Sequence, residues 1–356
     1  MQLRTAFGVI QLKVWRGKNP VDRRWGIPIR QRWGLGPHQQ LSPALEDKLA
    51  YFATVAGTYE SAAQLARKLS IPIEDSTVRE LVQRLGGRAE EQTQRRLKTV
   101  PQPLELQRPA SPLAVIMIDG YQVRHRGPDW GRQKARKPRV EWHEQKVGVF
   151  YHQDQNAEGA LLEKLNLGWQ GEAVELGERL HWEACRQGLG RARHSLAVGD
   201  GAPWIWHLIE QRWKDAHQVL DFYHASRHLH TLAEALHPAD EPARQRWVDQ
   251  QCHDLRHGKQ KVVLQRIGRL AEEPILAADV IRREKNYFQS HNQRLNYQAL
   301  SRRGWPIGSG SVESACAQRQ CRFKRPGQFW TVDGLRNLNA LIEARNLNHW
   351  DQLWTN

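Results

Sequence analysis

At 356 residues, 40% hydrophobic and 26% charged, with a mean hydropathy of −0.71, the chain is long enough for two or three domains with real cores. No apolar run approaches the roughly 20 residues of a membrane span, no apolar signal core follows Met1-Gln2-Leu3-Arg4-Thr5, and Cys185, Cys252, Cys316 and Cys321 form no CxxC pair, so a zinc ribbon, a disulfide framework and export are not expected, and a reducing cytoplasm is. The net charge of +15, from 53 Lys and Arg against 38 Asp and Glu, exceeds the roughly 2–8 that solubility asks of a domain and implies a polyanionic partner, nucleic acid given the predominance of arginine.

Residues 1–42 read as a basic β/loop segment. Phe7 to Trp15 alternates like a strand, beginning abruptly as though without a preceding partner, and Arg4 to Arg32 holds eight Lys and Arg against one acid, Asp22. A DNA-contacting arm and a solvated flap both fit this stretch. Residues 43–100 read as a helical region: Leu45, Leu49, Phe52, Ala53 and Ala56 share a face, and two short helices, Tyr59 to Leu69 and Ser76 to Leu85 with Ser76 as cap, flank a tight link at 70–75. That arrangement suits a helix-turn-helix. Residues 87–112, with Gly86-Gly87, Arg95-Arg96 and four prolines between 101 and 112, read as a linker.

From 113 the pattern changes to that of a mixed α/β core. Leu113 to Ile118 predicts a buried strand with Asp119-Gly120 at its tip, Gln145 to Tyr151 a second, Ser195 to Gly199 a third ending in Asp200-Gly201, and Gln218 to Leu220 a fourth running into Asp221. Leu176, Leu180, Trp182 and Cys185 mark a helix between them. Residues 113–225 are thus the first part of the core, 226–305 a polar helical insertion, and 306–356 the last part of the core with C-terminal helices.

Asp119 and Asp200 share one setting, apolar strand then acid then glycine. Carboxylates at strand ends of an α/β sheet converge on a site rim, and hard oxygen ligands there suit Mg²⁺; turn capping is the competing explanation for either acid alone. Glu313 follows the turn Gly308-Ser309-Gly310-Ser311 in the first turns of a helix, where a structural, dipole-matched acid is equally at home. The strip after it, Arg319, Arg322, Lys324 and Arg325 with Phe323, Phe329 and Trp330 interleaved, has the composition of a nucleic-acid groove.

Taken together, Asp119-Gly120, Gly199-Asp200-Gly201-Ala202-Pro203-Trp204-Ile205-Trp206, Leu220-Asp221-Phe222-Tyr223-His224-Ala225, Gly308 to Ala315 and Arg322 to Trp330 resemble consecutive motifs of the Kra-type insertion-sequence transposases over roughly 113–354. The resemblance implies an RNase H-like core interrupted by a helical insertion and preceded by a helix-turn-helix. It implies an acid triad of Asp119, Asp200 and Glu313 holding two Mg²⁺ ions, with Mn²⁺ as substitute, and Asp119 shared between them. Asp221-x-x-His224 is similar to the acid-x-x-His motif of the related Mutator-like transposases; His224 would act at the phosphate or in strand separation, with Asp221 among the DNA-contacting residues. Trp330, Arg319, Arg322, Lys324 and Arg325, together with Arg132, Arg136, Lys137 and Arg139 of the basic segment from 124 to 146, would meet DNA. Trp204 and Trp206 are either base-stacking residues or a packed corner.

Two departures accompany this resemblance. No cysteine lies between Trp15 and Leu35, where such proteins often carry one, so an N-terminally shortened copy is one expectation; and Gln328 stands where methionine is expected. The implied activity is cleavage and strand transfer at the terminal inverted repeats of an element and in double-stranded target DNA, by a dimer or larger synaptic assembly in a prokaryotic cytoplasm, at the nucleoid and without a membrane partner. The competing readings are a domesticated, repressor-like DNA-binding protein with an idle core and a structure-selective RNase H-like nuclease.

Overall fold

A computed structural model describes residues 1–356 except 20–22, 24, 37–38, 103–112, 135, 154–160, 271–276 and 355–356. In chain order the elements are β1 (Gln2–Thr5), β2 (Gly8–Gln11), β3 (Gly17–Lys18), β4 (Trp25–Gly26), α1 (Pro28–Arg32), α2 (Pro43–Val55), α3 (Tyr59–Lys68) and α4 (Asp75–Leu97), followed by β5 (Leu113–Arg126), β6 (Val140–Gln153), β7 (Leu161–Trp169), α5 (Ala173–Arg186), β8 (His194–Gly199), α6 (Pro203–Arg212) and β9 (His217–Leu220). Helices α7 (Phe222–Leu236), α8 (Glu241–Arg256), α9 (Gln260–Leu270), α10 (Ala278–Ser290), α11 (Tyr297–Arg302), α12 (Gly310–Phe323) and α13 (Val332–Asn346) complete the chain. They divide into two units, one of Met1–Arg96, Val123–Trp142 and Arg319–Asn356, the other of Leu97–Gln122 and His143–Gln318. Neither unit is a continuous stretch of chain. Asp22 and the prolines from 103 onward lie outside the described residues.

In the first unit the strand expected over Phe7 to Trp15 is shorter, and it has a partner. β2 pairs antiparallel with β1, Gln2 opposite Gln11. Val9, Ile10 and Trp15 are exposed, so the alternation there covers no core and the ladder stops at Gln11. Helix α2 is capped by Ser42, which accepts from the Leu45 N–H, and buries Leu45, Leu49, Ala50 and Ala53. Thr58 caps α3 in the same way through Ser61.

The next helix departs from expectation at both ends. α4 begins at Asp75, which puts Ser76 inside its first turn, and it runs on to Leu97 through Gly86-Gly87. Two helical glycines cost about 1 kcal/mol each relative to alanine, yet Gly86 is required by packing: a Cβ there would stand 2.2 Å from the Asn337 carbonyl oxygen of α13. Burial of Val78, Leu81, Val82, Leu85 and Ala89 on the same helix offsets that cost. Gly86 therefore marks a close helix contact, and α4 runs through the pair where a linker was expected to start.

In the second unit a five-stranded sheet has the order β7-β6-β5-β8-β9. β5 runs parallel to β8, from Leu113 opposite His194 to Ile118 opposite Gly199, and β8 runs parallel to β9, while β6 and β7 are antiparallel with an irregularity between Phe150 and His152. Leu113 to Ile118 and Leu196 to Val198 are buried, as strands covered on both faces must be. Strand β7 was not expected from the sequence. Only its second half, from Leu165, is buried, and Glu163 takes a positive φ of 55°, so neither alternation nor a continuous apolar run announces it. After β9 the chain continues in helices α7 to α11. This mixed sheet with many helices is compatible with an RNase H-like core.

Candidate active site

Asp119 is not at a strand tip. β5 continues to Arg126 with Tyr121 and Val123 buried, and Asp119 instead occupies the first position after the ladder with β8 ends at Ile118 and Gly199. One strand over, Asp200 directly follows the end of β8. The two acids thus leave neighbouring parallel strands at the same level. The Asp119 carboxylate accepts from the Gly120 N–H at 2.6 Å, and that of Asp200 accepts from the Ala202 N–H at 2.9 Å. Burial pushes the Asp119 carboxyl above its ordinary value; the Gly120 N–H opposes this and the nearby Asp200 charge adds to it.

Asp221 follows β9 in the same manner and is fully buried. It caps α7 by accepting from the His224 N–H at 2.7 Å and accepts from the Ser309 N–H at 2.5 Å. Burial works against its charged form, but His224 and the two N–H donors outweigh burial and take the carboxyl down to about 2. A group that closed off cannot itself touch DNA. His224 Nδ1 lies 3.7 Å from the Asp221 carboxylate, an ion-pair separation too long for a hydrogen bond. The Asp221 carboxylate raises the imidazole pKa, burial opposes, and the Asp200 charge raises it further.

Glu313 comes in on the first turn of α12, accepting from the Ser309 hydroxyl at 3.0 Å. Three residues along the same helix face, the Cys316 thiol donates to Asp119, which turns this face of α12 toward the strand carboxylates. Ligand atoms of Asp221, His224 and Glu313 all lie within 4.8 Å of one another. Among the described residues this is the one such set of three, and Asp119 and Asp200 are not part of it.

Three supporting residues were invisible in the sequence. The Tyr287 hydroxyl, from α10, donates to the Asp200 main-chain carbonyl at 2.9 Å. Its ring covers Gly201, where φ is +100° and a Cβ would stand 2.7 Å from the hydroxyl. His228 stacks on Tyr287 at 3.6 Å between ring centroids, and its Nδ1 meets the buried Glu284 carboxylate at 2.5 Å. Nothing in the local sequence flags this trio, because their partners lie more than fifty positions away. Trp206 is buried, with the Arg294 guanidinium 4.2 Å from its ring centroid, so it is a packed corner. Trp204 is half-buried, with Lys146 5.5 Å from its ring.

The basic strip divides within the first unit. Arg319 is buried, donating to Asn339 at 2.7 Å with Glu343 at 4.0 Å. Arg322 is buried between the rings of Tyr59 and Trp330, and burial lowers its pKa to about 10. Phe323 and Trp330 are also buried, the Trp330 indole N–H donating to the Phe323 carbonyl at 2.9 Å. These four form the packing beneath the strip and not its exposed face. Lys324, Arg325, Arg132, Arg136, Lys137 and Arg139 are exposed.

The donor chemistry, the carboxylates of Asp221 and Glu313 with the His224 imidazole, and of Asp119 and Asp200 on neighbouring strands, fits a hard divalent cation. The chain matches no protein-family model and no curated protein. Among solved structures it is similar to the Drosophila P element transposase strand transfer complex, at 12% identity over 87% of this chain and 79% of that one, with a TM-score of 0.28. A likeness at that score carries no weight for fold or function. No helix among the described residues is long and apolar enough to cross a membrane.

Proposed function

We propose that this chain is a DNA transposase of the acid-triad type, cutting and rejoining DNA at the ends of an insertion sequence. What supports the reading is that Asp119 and Asp200 sit at the same level of neighbouring parallel strands, with Cys316, three residues along α12 from Glu313, beside Asp119. In this reading Asp119, Asp200 and Glu313 hold magnesium, or manganese in its place. The ions would neutralise charge on the scissile phosphate and favour attack by an oxygen nucleophile.

The same reading assigns the remaining roles. His224, its pKa raised by Asp221, donates to a phosphate oxygen, and Asp221 acts through it by fixing its position and the Ser309 turn. Lys324, Arg325, Arg132, Arg136, Lys137 and Arg139 contact the DNA backbone, and α3 with α4 reads the terminal repeats as a helix-turn-helix. Two ends processed together call for a dimer or larger assembly.

A second reading has one specific observation in its favour. The set Asp221, His224 and Glu313 offers three ligands to a single cation, as a structure-selective nuclease without strand transfer would use. The test that separates them is incubation of the protein with labelled duplexes ending in the repeats that flank its gene, and a target plasmid, in Mg²⁺ or Mn²⁺. Joined products that vanish in Asp119→Asn, Asp200→Asn and Glu313→Gln support the transposase. Cleavage without joining, lost in Asp221→Asn and kept in Asp200→Asn, supports the nuclease.

A further inference from the structure

The loop from Arg124 to Trp142 carries seven Lys and Arg against two acids, and one of those acids is inside it. Asp129 is buried; its carboxylate accepts from the Arg136 and Lys137 N–H groups at 2.6 Å each and from the Arg132 guanidinium at 2.8 Å. The Gly127 N–H donates to the Arg139 carbonyl at 2.8 Å, and a Cβ on Gly127 would stand 2.1 Å from the Pro138 carbonyl oxygen, so the two limbs of the loop touch. The turn at 324–330 is laced to the first limb: Arg126 N–H donates to the Trp330 carbonyl, Trp330 N–H to the Arg124 carbonyl, and the Arg124 guanidinium to the Arg325 carbonyl at 2.6 Å. The loop is thus a built surface, with its cations displayed outward.

Aromatic rings stand among those cations. Trp130 is 39% and Trp142 55% exposed. Trp130 leans on Phe329 at 4.6 Å and 48°, Arg126 lies 5.5 Å from the Trp130 ring, Arg124 5.0 Å from Phe329 and Lys324 5.9 Å from Trp142. Duplex DNA offers phosphates to such a surface but keeps its base faces stacked inside. Exposed indoles beside phosphate-binding cations are complementary to bases that have left the stack. We propose that this loop, through Trp130 and Trp142, binds unpaired single-stranded DNA in preference to duplex, goes beyond end recognition, and does so independently of the acidic site.

The test is fluorescence anisotropy of the full chain with a labelled 20-mer of thymidylate and, separately, a blunt duplex of that length, in EDTA so that the outcome does not depend on the acidic site. Single-strand binding should be the tighter. Trp130→Ala and Trp142→Ala should each weaken it by about tenfold while changing duplex affinity less than about twofold, and Trp130→Phe and Trp142→Phe, which keep a stacking face, should recover most of it. Arg136→Ala should weaken both ligands alike and flatten their salt dependence. Equal losses for single strand and duplex in the tryptophan variants, or no loss, overturn the proposal. So does self-association by sedimentation that Trp130→Ala abolishes with single-strand binding unmoved, which would give the surface to a second copy of this chain. Loss of cleavage in Asp119→Asn with single-strand binding intact leaves this inference standing apart from the transposase reading.

Discussion

The Tyr287 hydroxyl donates to the Asp200 main-chain carbonyl at 2.9 Å, so a residue of helix α10 holds the turn that carries the acid after β8. The bond acts on the backbone, leaving the carboxylate free for other partners. Tyr287→Phe should keep the ring's stack on His228 and its cover over Gly201 and lose only the hydroxyl. The expected cost is about 1 kcal/mol of unfolding free energy. If the site works as proposed, cleavage turnover falls about tenfold, equivalent to about 1.4 kcal/mol, with DNA affinity unchanged. Tyr287→Leu, which removes the stack as well, should lose more on both counts. Equal effects of the two substitutions would show that the hydroxyl does nothing.

Asp119 gives a pH prediction. Burial first, and then the Asp200 charge, hold its carboxyl above the ordinary value in the folded chain. The folded state therefore binds a proton more readily than the unfolded one, and this group's contribution to stability declines as pH rises from the unfolded value through the raised folded one. Asp119→Asn should stabilise the metal-free protein at neutral pH, with the difference from wild type closing as pH falls below the raised value, read by urea unfolding in EDTA. The same variant should lose about a hundredfold or more in cleavage. A less stable Asp119→Asn at neutral pH would mean the carboxylate is a structural acceptor.

Asp221 has the opposite sign. Its folded pKa of about 2 lies below the ordinary 3.8, so it contributes stability that is fully present above 3.8 and is lost as pH falls toward 2, about 2 kcal/mol in all. Asp221→Ala should unfold earlier in urea at pH 7 by about that amount, because the buried Ser309 N–H loses its acceptor. It should also lower the His224 pKa, which a two-dimensional NMR titration of the imidazole would report. An unmoved His224 would detach the histidine from Asp221.

The basic strip should separate into two phenotypes. Arg319→Ala removes the partner of the buried Glu343 and Asn339 and should cost about 3 kcal/mol of stability, with duplex affinity unchanged for the molecules that remain folded. Arg325→Ala, at an exposed position, should leave the melting temperature alone and reduce duplex affinity severalfold, with the salt slope lowered by about one.

Much of the candidate site was legible because its chemistry is local. Leu113 to Ile118 and Ser195 to Gly199 are continuous apolar runs, and only a strand buried on both faces has that pattern, so the acids that follow them could be placed in register. Beyond Asp119 the run gives way to alternation, Tyr121 and Val123 inward, and that change of period, which looks like an end in the sequence, is a change of covering. Gly86-Gly87 misled for the same kind of reason. A glycine pair reads as a break unless the neighbouring helix backbone that fills its space is known, and Asn337 lies some 250 positions away. The burial of Arg319 and Arg322 was equally hidden. Cys316, Arg319, Arg322 and Phe323 recur along α12 at helical spacing, yet a row containing two guanidiniums is ordinarily assigned to solvent.

Asp129 has one more consequence, and it concerns time as well as affinity. Because a buried anion already holds the Arg136 and Lys137 N–H groups and the Arg132 guanidinium, the conformational entropy of fixing those residues is spent when the chain folds and not when DNA arrives. Capture of a strand there should follow simple second-order kinetics whose rate falls with ionic strength, without the slower rearrangement that a loop wrapping around its ligand would add.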